Sequence, residues 1–257
     1  MVVKMFIAKA KIDPERNRHR KTMRYDHSFL IQCVILRMKS FSAYVHIRKI
    51  GLLPLPSQST MRRMLSSSEC QFGFNSLALE QISDAFKGLL AWQRWGVIMW
   101  DEISITKDMR WDSKGLKWKG IVDFAGEVSI MVPNGLADHV LVFVFRPFYK
   151  GWIQPFAWFG TKGGASGTVL LELVTKSIAR LFQAGAITKA SVCDGFSTNK
   201  TVYSHFGVSG TEDGVNSMLH PMDPSVKIHC LHDVPHLLKC TRNHMLEHKL
   251  VQVTYFS

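Results

Sequence analysis

The stretch Trp95-Gly-Val-Ile-Met-Trp-Asp-Glu-Ile-Ser104 constrains this chain more than any other part of it. Val97 to Trp100 is an apolar run short enough for a buried strand. It ends abruptly in Asp101 and Glu102. A carboxylate at the tip of a buried strand is costly unless a cation, hydrogen bonds or water meet it. The pattern recurs at Ala190-Ser-Val-Cys-Asp-Gly195, where Asp194 closes a second apolar run. Two strand-end acids, Asp101 and Asp194, suggest a divalent-metal site assembled across a sheet. Spacing alone fits two solvated acids at strand tips as well.

The remaining patterns place both strands in one layer. Strands are expected at Trp95–Thr106, Leu116–Phe124, Val140–Pro147, the run ending at Asp194, and Val226–Cys230. Ile153–Phe159 reads as an irregular or edge strand because Pro155 interrupts it. Helices are expected from Asn75 or Ser76 through Leu90, over Thr168–Gln183, from Ser197 or Thr198 through Tyr203, and over Pro235–Leu246. Residues 207–224 read as a polar loop. A hairpin-rich start followed by crossover helices argues a mixed sheet flanked by helices.

Before this region lie three short helical patterns. Tyr25–Met38 carries Phe29, Cys33 and Leu36 at helical spacing. Ser40 or Ser42 caps a second, stopped by Gly51. Ser57 or Ser59 caps a third containing Met61, Arg62, Arg63 and Leu65. Three small helices with a basic last one suit a helix-turn-helix module, or equally a helical packing unit. The expected organisation is a basic lead-in over 1–24, this module over 25–66, and an α/β domain over 75–257.

Charge indicates the partner. The net charge is +12, which favours a polyanion, most simply nucleic acid. Residues 1–65 hold 14 Lys or Arg against three acids. Arg18, Arg20 and Lys21 in the lead-in, with Arg62 and Arg63, are candidate phosphate contacts. The run Arg16–Lys21 can also serve as a nuclear import signal, or be a solvated charge run. No apolar run approaches membrane-spanning length. Five cysteines form no CxxC pair, so free thiols are expected.

Several motifs are weaker. Gly163-Gly-Ala-Ser-Gly167 lacks the Gly-Lys-Ser/Thr ending of a phosphate loop. His229, Cys230, His232, His236 and Cys240 are zinc-capable but match no standard spacing. Cys193 inside a buried strand reads as filling rather than a nucleophile. Trp111, Trp118 and Trp152 are the tryptophans placed to stack bases, if any do. By contrast, two carboxylates suit Mg2+ or Mn2+, and metal-held carboxylates suit phosphodiester chemistry.

Trp100-Asp-Glu-Ile103, Gly120-Ile-Val-Asp-Phe124, His139-Val-Leu-Val-Phe143, Gly151-Trp-Ile-Gln-Pro155, Cys193-Asp-Gly195 with Asn199, and Asp233-Val-Pro-His-Leu-Leu-Lys239 occur in this order. The set resembles P-element-type DNA transposases, including THAP-domain transposase relatives. Ser42-Ala-Tyr44 followed by Leu53-Pro-Leu-Pro-Ser57 resembles the helix-turn-helix module before their catalytic domain. The resemblance implies an RNase H-like fold and metal-dependent cleavage and joining of DNA at transposon ends and target. It also implies a nuclear location and allows a homo-oligomer. Asp101 matches the first acid of the family's Asp-Asp-Glu set and Asp194 the second. The family's third acid lies beyond a helical GTP-binding insertion, which would begin about where this sequence reaches Ser257. No zinc-binding THAP finger is seen at the front. The expectation is therefore a transposase fragment, or a domesticated or relic DNA-binding module. The same acids also fit a metal-dependent nuclease acting on RNA.

Overall fold

The computed structural model describes residues 25–66, 71–113, 117–130, 134–209, 211 and 214–248. The chain divides into two compact units, Met1–Cys70 and Gln71–Ser257. The candidate DNA contacts Arg18, Arg20 and Lys21 lie outside the described residues.

The first unit contains α1 (His27–Lys39), α2 (Phe41–Lys49) and α3 (Gln58–Ser66). Each start is set by a side-chain oxygen that accepts an otherwise unpaired amide of the first turn. Asp26 accepts from the Ser28 N–H (3.1 Å), Ser40 from Ala43 (3.2 Å) and Ser57 from Thr60 (3.1 Å). Gly51, at φ 68°, turns the chain out of α2. Cys33, Tyr44, Leu55 and Met61 form the buried centre. The Tyr44 hydroxyl donates to the Pro56 carbonyl at 2.9 Å, which ties α2 to the proline-rich turn before α3.

In chain order the second unit holds β1 (Gly73–Phe74), α4 (Ser76–Phe86), β2 (Trp95–Ser104), β3 (Arg110–Asp112) and β4 (Lys117–Lys119). There follow β5 (His139–Pro147), β6 (Gln154–Thr161), α5 (Gly167–Gln183) and β7 (Ile187–Cys193). The described part ends with α6 (Ser197–His205), β8 (Ser217–His220), β9 (Asp223–His232) and α7 (Val234–His248). Seven strands make one mixed sheet in the order β1-β6-β5-β2-β7-β9-β8. Strand β2 lies at its middle, antiparallel to β5 and parallel to β7. Strand β9 is parallel to β7, and β8 returns antiparallel to β9. This is the helix-flanked mixed sheet that the sequence pattern calls for.

Alternation along β2 decides which side becomes core. Gly96, Ile98 and Trp100 are buried, whereas Val97 and Met99 are half-buried and Asp101 is exposed. The buried side joins Phe143 and Phe145 of β5 and Phe156 and Phe159 of β6. Helix α5 adds Leu173, Val174, Ile178 and Leu181 to the same cluster, and α4 adds Ile82 and Phe86. Gly96 admits no side chain, because a Cβ there would lie 2.4 Å from the Phe145 ring and 2.6 Å from the Arg146 carbonyl.

Three expectations are corrected. Of the second strand expected over Leu116–Phe124, Leu116 lies outside the described residues, and residues 117–124 do not form a strand of the large sheet. Their first part, β4, pairs only with β3 in a separate hairpin, and Ile121 and Asp123 make isolated bridges. Gly120, at φ 93°, breaks the run, and it packs so closely on the Asp108 carbonyl that a Cβ would come within 1.8 Å. Strand β6 is internal, between β1 and β5, rather than an edge, but it is irregular as expected. Pro155 is accommodated at a register shift where Phe143 faces Ala157 and Val144 faces Pro155. The expected loop over 207–224 contains β8. Its inward residues are Met218 and His220, and the second of these is polar, so no apolar alternation announces the strand.

Candidate functional site

The parallel pairing of β2 with β7 brings Met99 opposite Val192. Asp101 and Asp194 each lie two residues further along, on the same side of their strands as that pair. They are thus neighbours at the same end of the sheet's two central strands. Both line a cleft of about 240 Å3 bounded by Glu102, His139, Gly164 and Asn199. Both also line a broader hollow of about 510 Å3 bounded by Met99, Val142, Asp233 and His236.

Each aspartate is held by hydrogen bonds through one oxygen. Asp101 Oδ1 accepts from the Glu102 N–H at 2.8 Å. Asp194 Oδ1 accepts from the Phe196 N–H at 3.0 Å and from Asn199 Nδ2 at 2.5 Å. The Asp194 carbonyl lies 3.1 Å from His232 Nδ1. Asn199 is itself fixed from behind, since Trp100 Nε1–H donates to its Oδ1 at 2.7 Å. Trp100 and Asn199 belong to the quoted motif set, but nothing in the sequence reveals that they touch. Their separation of 99 residues hides the bond.

Glu102 points the other way. As strand alternation requires, it turns from Asp101 toward the core side. It accepts from the Ala165 N–H at 2.7 Å and the Thr161 hydroxyl at 3.4 Å. Burial is the main influence on its carboxyl and raises its pKa above the ordinary value, against the opposing pull of the Ala165 amide. Asp138 holds the same glycine loop by accepting from Gly163 N–H at 2.7 Å, and it pairs with His139 (2.7 Å) and Lys107 (3.2 Å). The His139 bond, then the Gly163 amide and Lys107, keep the Asp138 carboxyl well below the usual carboxylate range. The amides of Gly163 and Ala165 therefore already serve carboxylates of the chain itself. This removes the phosphate-loop reading of Gly163–Gly167.

The other candidates separate. Cys193 is buried, and that burial pushes its thiol up to about 12, which suits packing and not nucleophilic attack. Trp152 packs on Phe86 and Phe145 in the core. Trp111 and Trp118 face each other across the β3–β4 hairpin, ring centres 5.2 Å apart, and stay about half exposed. Arg62 and Arg63 are exposed on α3. Among the described residues no group of three or more His, Cys, Asp or Glu side chains is arranged to hold a metal ion. That covers the His229–Cys240 cluster, and it also means that no third acid joins Asp101 and Asp194. No helix among the described residues is long and apolar enough to cross a membrane.

The chain is similar to known proteins in sequence and in fold. Residues 70–207, just over half of the chain, match the family described as TNP-like, RNase H N-terminal domain. The chain is 26% identical over 206 residues to the "Transposable element P transposase" of Drosophila melanogaster, covering 80% of this chain and 24% of that protein. It is 23% identical over 225 residues to the human "DNA transposase THAP9", covering 87% of this chain and 25% of that protein. It therefore spans about a quarter of the length of either relative. The solved "Drosophila P element transposase strand transfer complex" has the same fold, at a TM-score of 0.67 and 22% identity, over 95% of this chain and 50% of that one. The sheet is RNase H-like, and this chain belongs to the TNP-like RNase H N-terminal domain family.

Proposed function

We propose that this chain is the RNase H-like part of a P-element-like DNA transposase, with Asp101 and Asp194 as its metal-binding catalytic carboxylates. The single observation that carries the reading is the pairing of β2 with β7, which sets the two acids side by side at one strand end. The donor set fits Mg2+ or Mn2+, hard cations that prefer oxygen ligands. Such a cation lowers the pKa of a bound hydroxyl group and steadies the charge of a phosphodiester displacement. Asp101 and Asp194 each keep one oxygen that no donor among the described residues reaches, and those oxygens are the ones assigned to the cation. The glutamate of an Asp-Asp-Glu set is assigned to a part of such a transposase outside this chain. The name of the human relative, a DNA transposase, supplies the substrate class, DNA, and the family resemblance supplies transposon ends and target as the DNA acted on. Arg62 and Arg63, with Arg18, Arg20 and Lys21 of the lead-in, are assigned to phosphates, and a nuclear location follows from acting on DNA.

A second reading is a DNA-binding module that does not cut. The lack of a third acid beside the pair among the described residues favours it. Calorimetric titration with Mn2+ tests the first reading. Asp101→Ala with Asp194→Ala is expected to abolish binding that the unaltered chain shows, and unchanged heats would remove the assigned site. Binding to duplex DNA that falls steeply with salt, with no Mn2+ binding, would leave the second.

A further inference from the structure

Trp100 and Asn199 are both buried, at 3% and 7% exposure. An indole N–H can only donate, so the Asn199 atom that meets it at 2.7 Å is the oxygen. That contact fixes the orientation of the amide. Its other end, Nδ2, must then face Asp194, where it lies 2.5 Å from Oδ1. The Phe196 N–H donates to the same oxygen at 3.0 Å. Two donors therefore converge on Oδ1, and among the described residues none reaches Oδ2.

We propose that Asn199 is a positioning residue, set by Trp100, that turns Asp194 so that its Oδ2 is presented to a divalent cation. The inference rests on the metal reading given above and adds to it the device that orients the ligand. A free carboxylate rotates about its terminal torsion and offers either oxygen. Saturating one oxygen from the protein side stops that rotation during folding, so less ordering remains to be done when a cation binds. The device also spans the site. Trp100 precedes Asp101 on β2, while Asn199 lies on α6, five residues after Asp194. A shift of β2 relative to α6 is thereby felt at both acids.

The competing account gives Asn199 a purely structural role as an acceptor for a buried indole. In that case its loss would weaken cation binding only as far as it weakens the fold. Four variants of the full chain distinguish the two accounts: Asn199→Leu, Trp100→Phe, Asp194→Ala and Ile178→Ala. Ile178 is a fully buried residue of α5 outside the clefts and serves as the stability-matched control. Mn2+ affinity is measured by calorimetry, and folding by circular dichroism and thermal melting. The expected result is binding by the unaltered chain, none by Asp194→Ala, and an affinity about tenfold or more weaker for Asn199→Leu. Trp100→Phe, which frees the amide to turn, is expected to show a smaller loss of roughly threefold and serves if Asn199→Leu does not fold. Ile178→Ala should bind as the unaltered chain does. Native affinity in both network variants, or an equal loss in Ile178→Ala, would overturn the positioning role while leaving the metal site standing. Absence of Mn2+ binding by the unaltered chain would overturn both.

Discussion

Removing both partners of the Trp100–Asn199 bond should cost less than the two single removals added together. Trp100→Phe leaves Asn199 Oδ1 buried without its donor, and Asn199→Leu leaves the indole N–H buried without its acceptor. An orphaned buried polar group costs about 1–3 kcal/mol. The change in shape at these packed positions adds a cavity or overpacking cost, so each single variant should lose about 2–4 kcal/mol. In the double variant neither orphan exists, and what remains is the packing costs and the lost Asn199–Asp194 bond, which the Asn199→Leu single loses equally. The double loss should therefore fall short of the sum of the singles by the two orphan costs together, about 2–6 kcal/mol. Urea denaturation of the four proteins at neutral pH, followed by far-UV circular dichroism, measures this coupling. Circular dichroism is the safer probe, because Trp100→Phe alters the fluorescence. Losses additive to within about 0.5 kcal/mol would show that the bond contributes nothing specific and would refute the reasoning.

Other outcomes follow from groups near the site and at the sheet edge. The Asp138 carboxyl is held below its ordinary value of 3.8, so its contribution to stability is complete above that pH and is lost as the pH falls further. Asp138→Asn should remove that part of the acid dependence of the melting temperature, and an unchanged acid limb would contradict it. His220 is buried with no partner for Nε2 among the described residues, and burial lowers its pKa below 6.5, so acidification below that value should destabilise the β8–β9 hairpin. Hydrogen exchange of the β8 and β9 amides should speed up there, and His220→Leu should abolish the dependence; protection that stays level with pH would count against it. Gly164→Ala places a Cβ 2.7 Å from Glu102 Oε2 at φ 88°, which should cost about 1–3 kcal/mol of stability. An unaltered unfolding midpoint would show that the loop yields freely.

What could be read beforehand followed the strength of the local signals. Strands β2 and β7 were legible because each is an apolar run that ends in a charge. Helix α5 was legible because Leu171, Val174, Ile178 and Leu181 recur at helical spacing and Gly185 stops it, although the structure buries Leu170 and Leu173 with the last three and leaves Leu171 half-buried. The first unit was legible from its caps and its proline turn. That the sheet is RNase H-like came from the ordered motifs, not from periodicity. The β3–β4 hairpin was missed because the decisive contact, Gly120 on the Asp108 carbonyl, is tertiary. Strand β1 is too short for any pattern to register, and β8 turns a histidine inward where an apolar residue would have signalled a strand. Asp101 and Asp194 were visible as a pair because buried strands rarely end in carboxylates without cause. The Trp100–Asn199–Asp194 relay was not visible, because an asparagine on a helix does not announce which way its amide faces.

Because β2 and β7 meet along a single seam, the two acids belong to pieces of chain that can be separated. Severing the backbone between Gln183 and Ile187 would leave Asp101 with the antiparallel strands and α5, and Asp194 with β7, α6 and the β8–β9 hairpin. Neither piece alone holds the pair, and only reassociation along the seam rebuilds it. A cation gripped by both would then act as a staple between them, reporting on the union of the two parts and strengthening it by mass action.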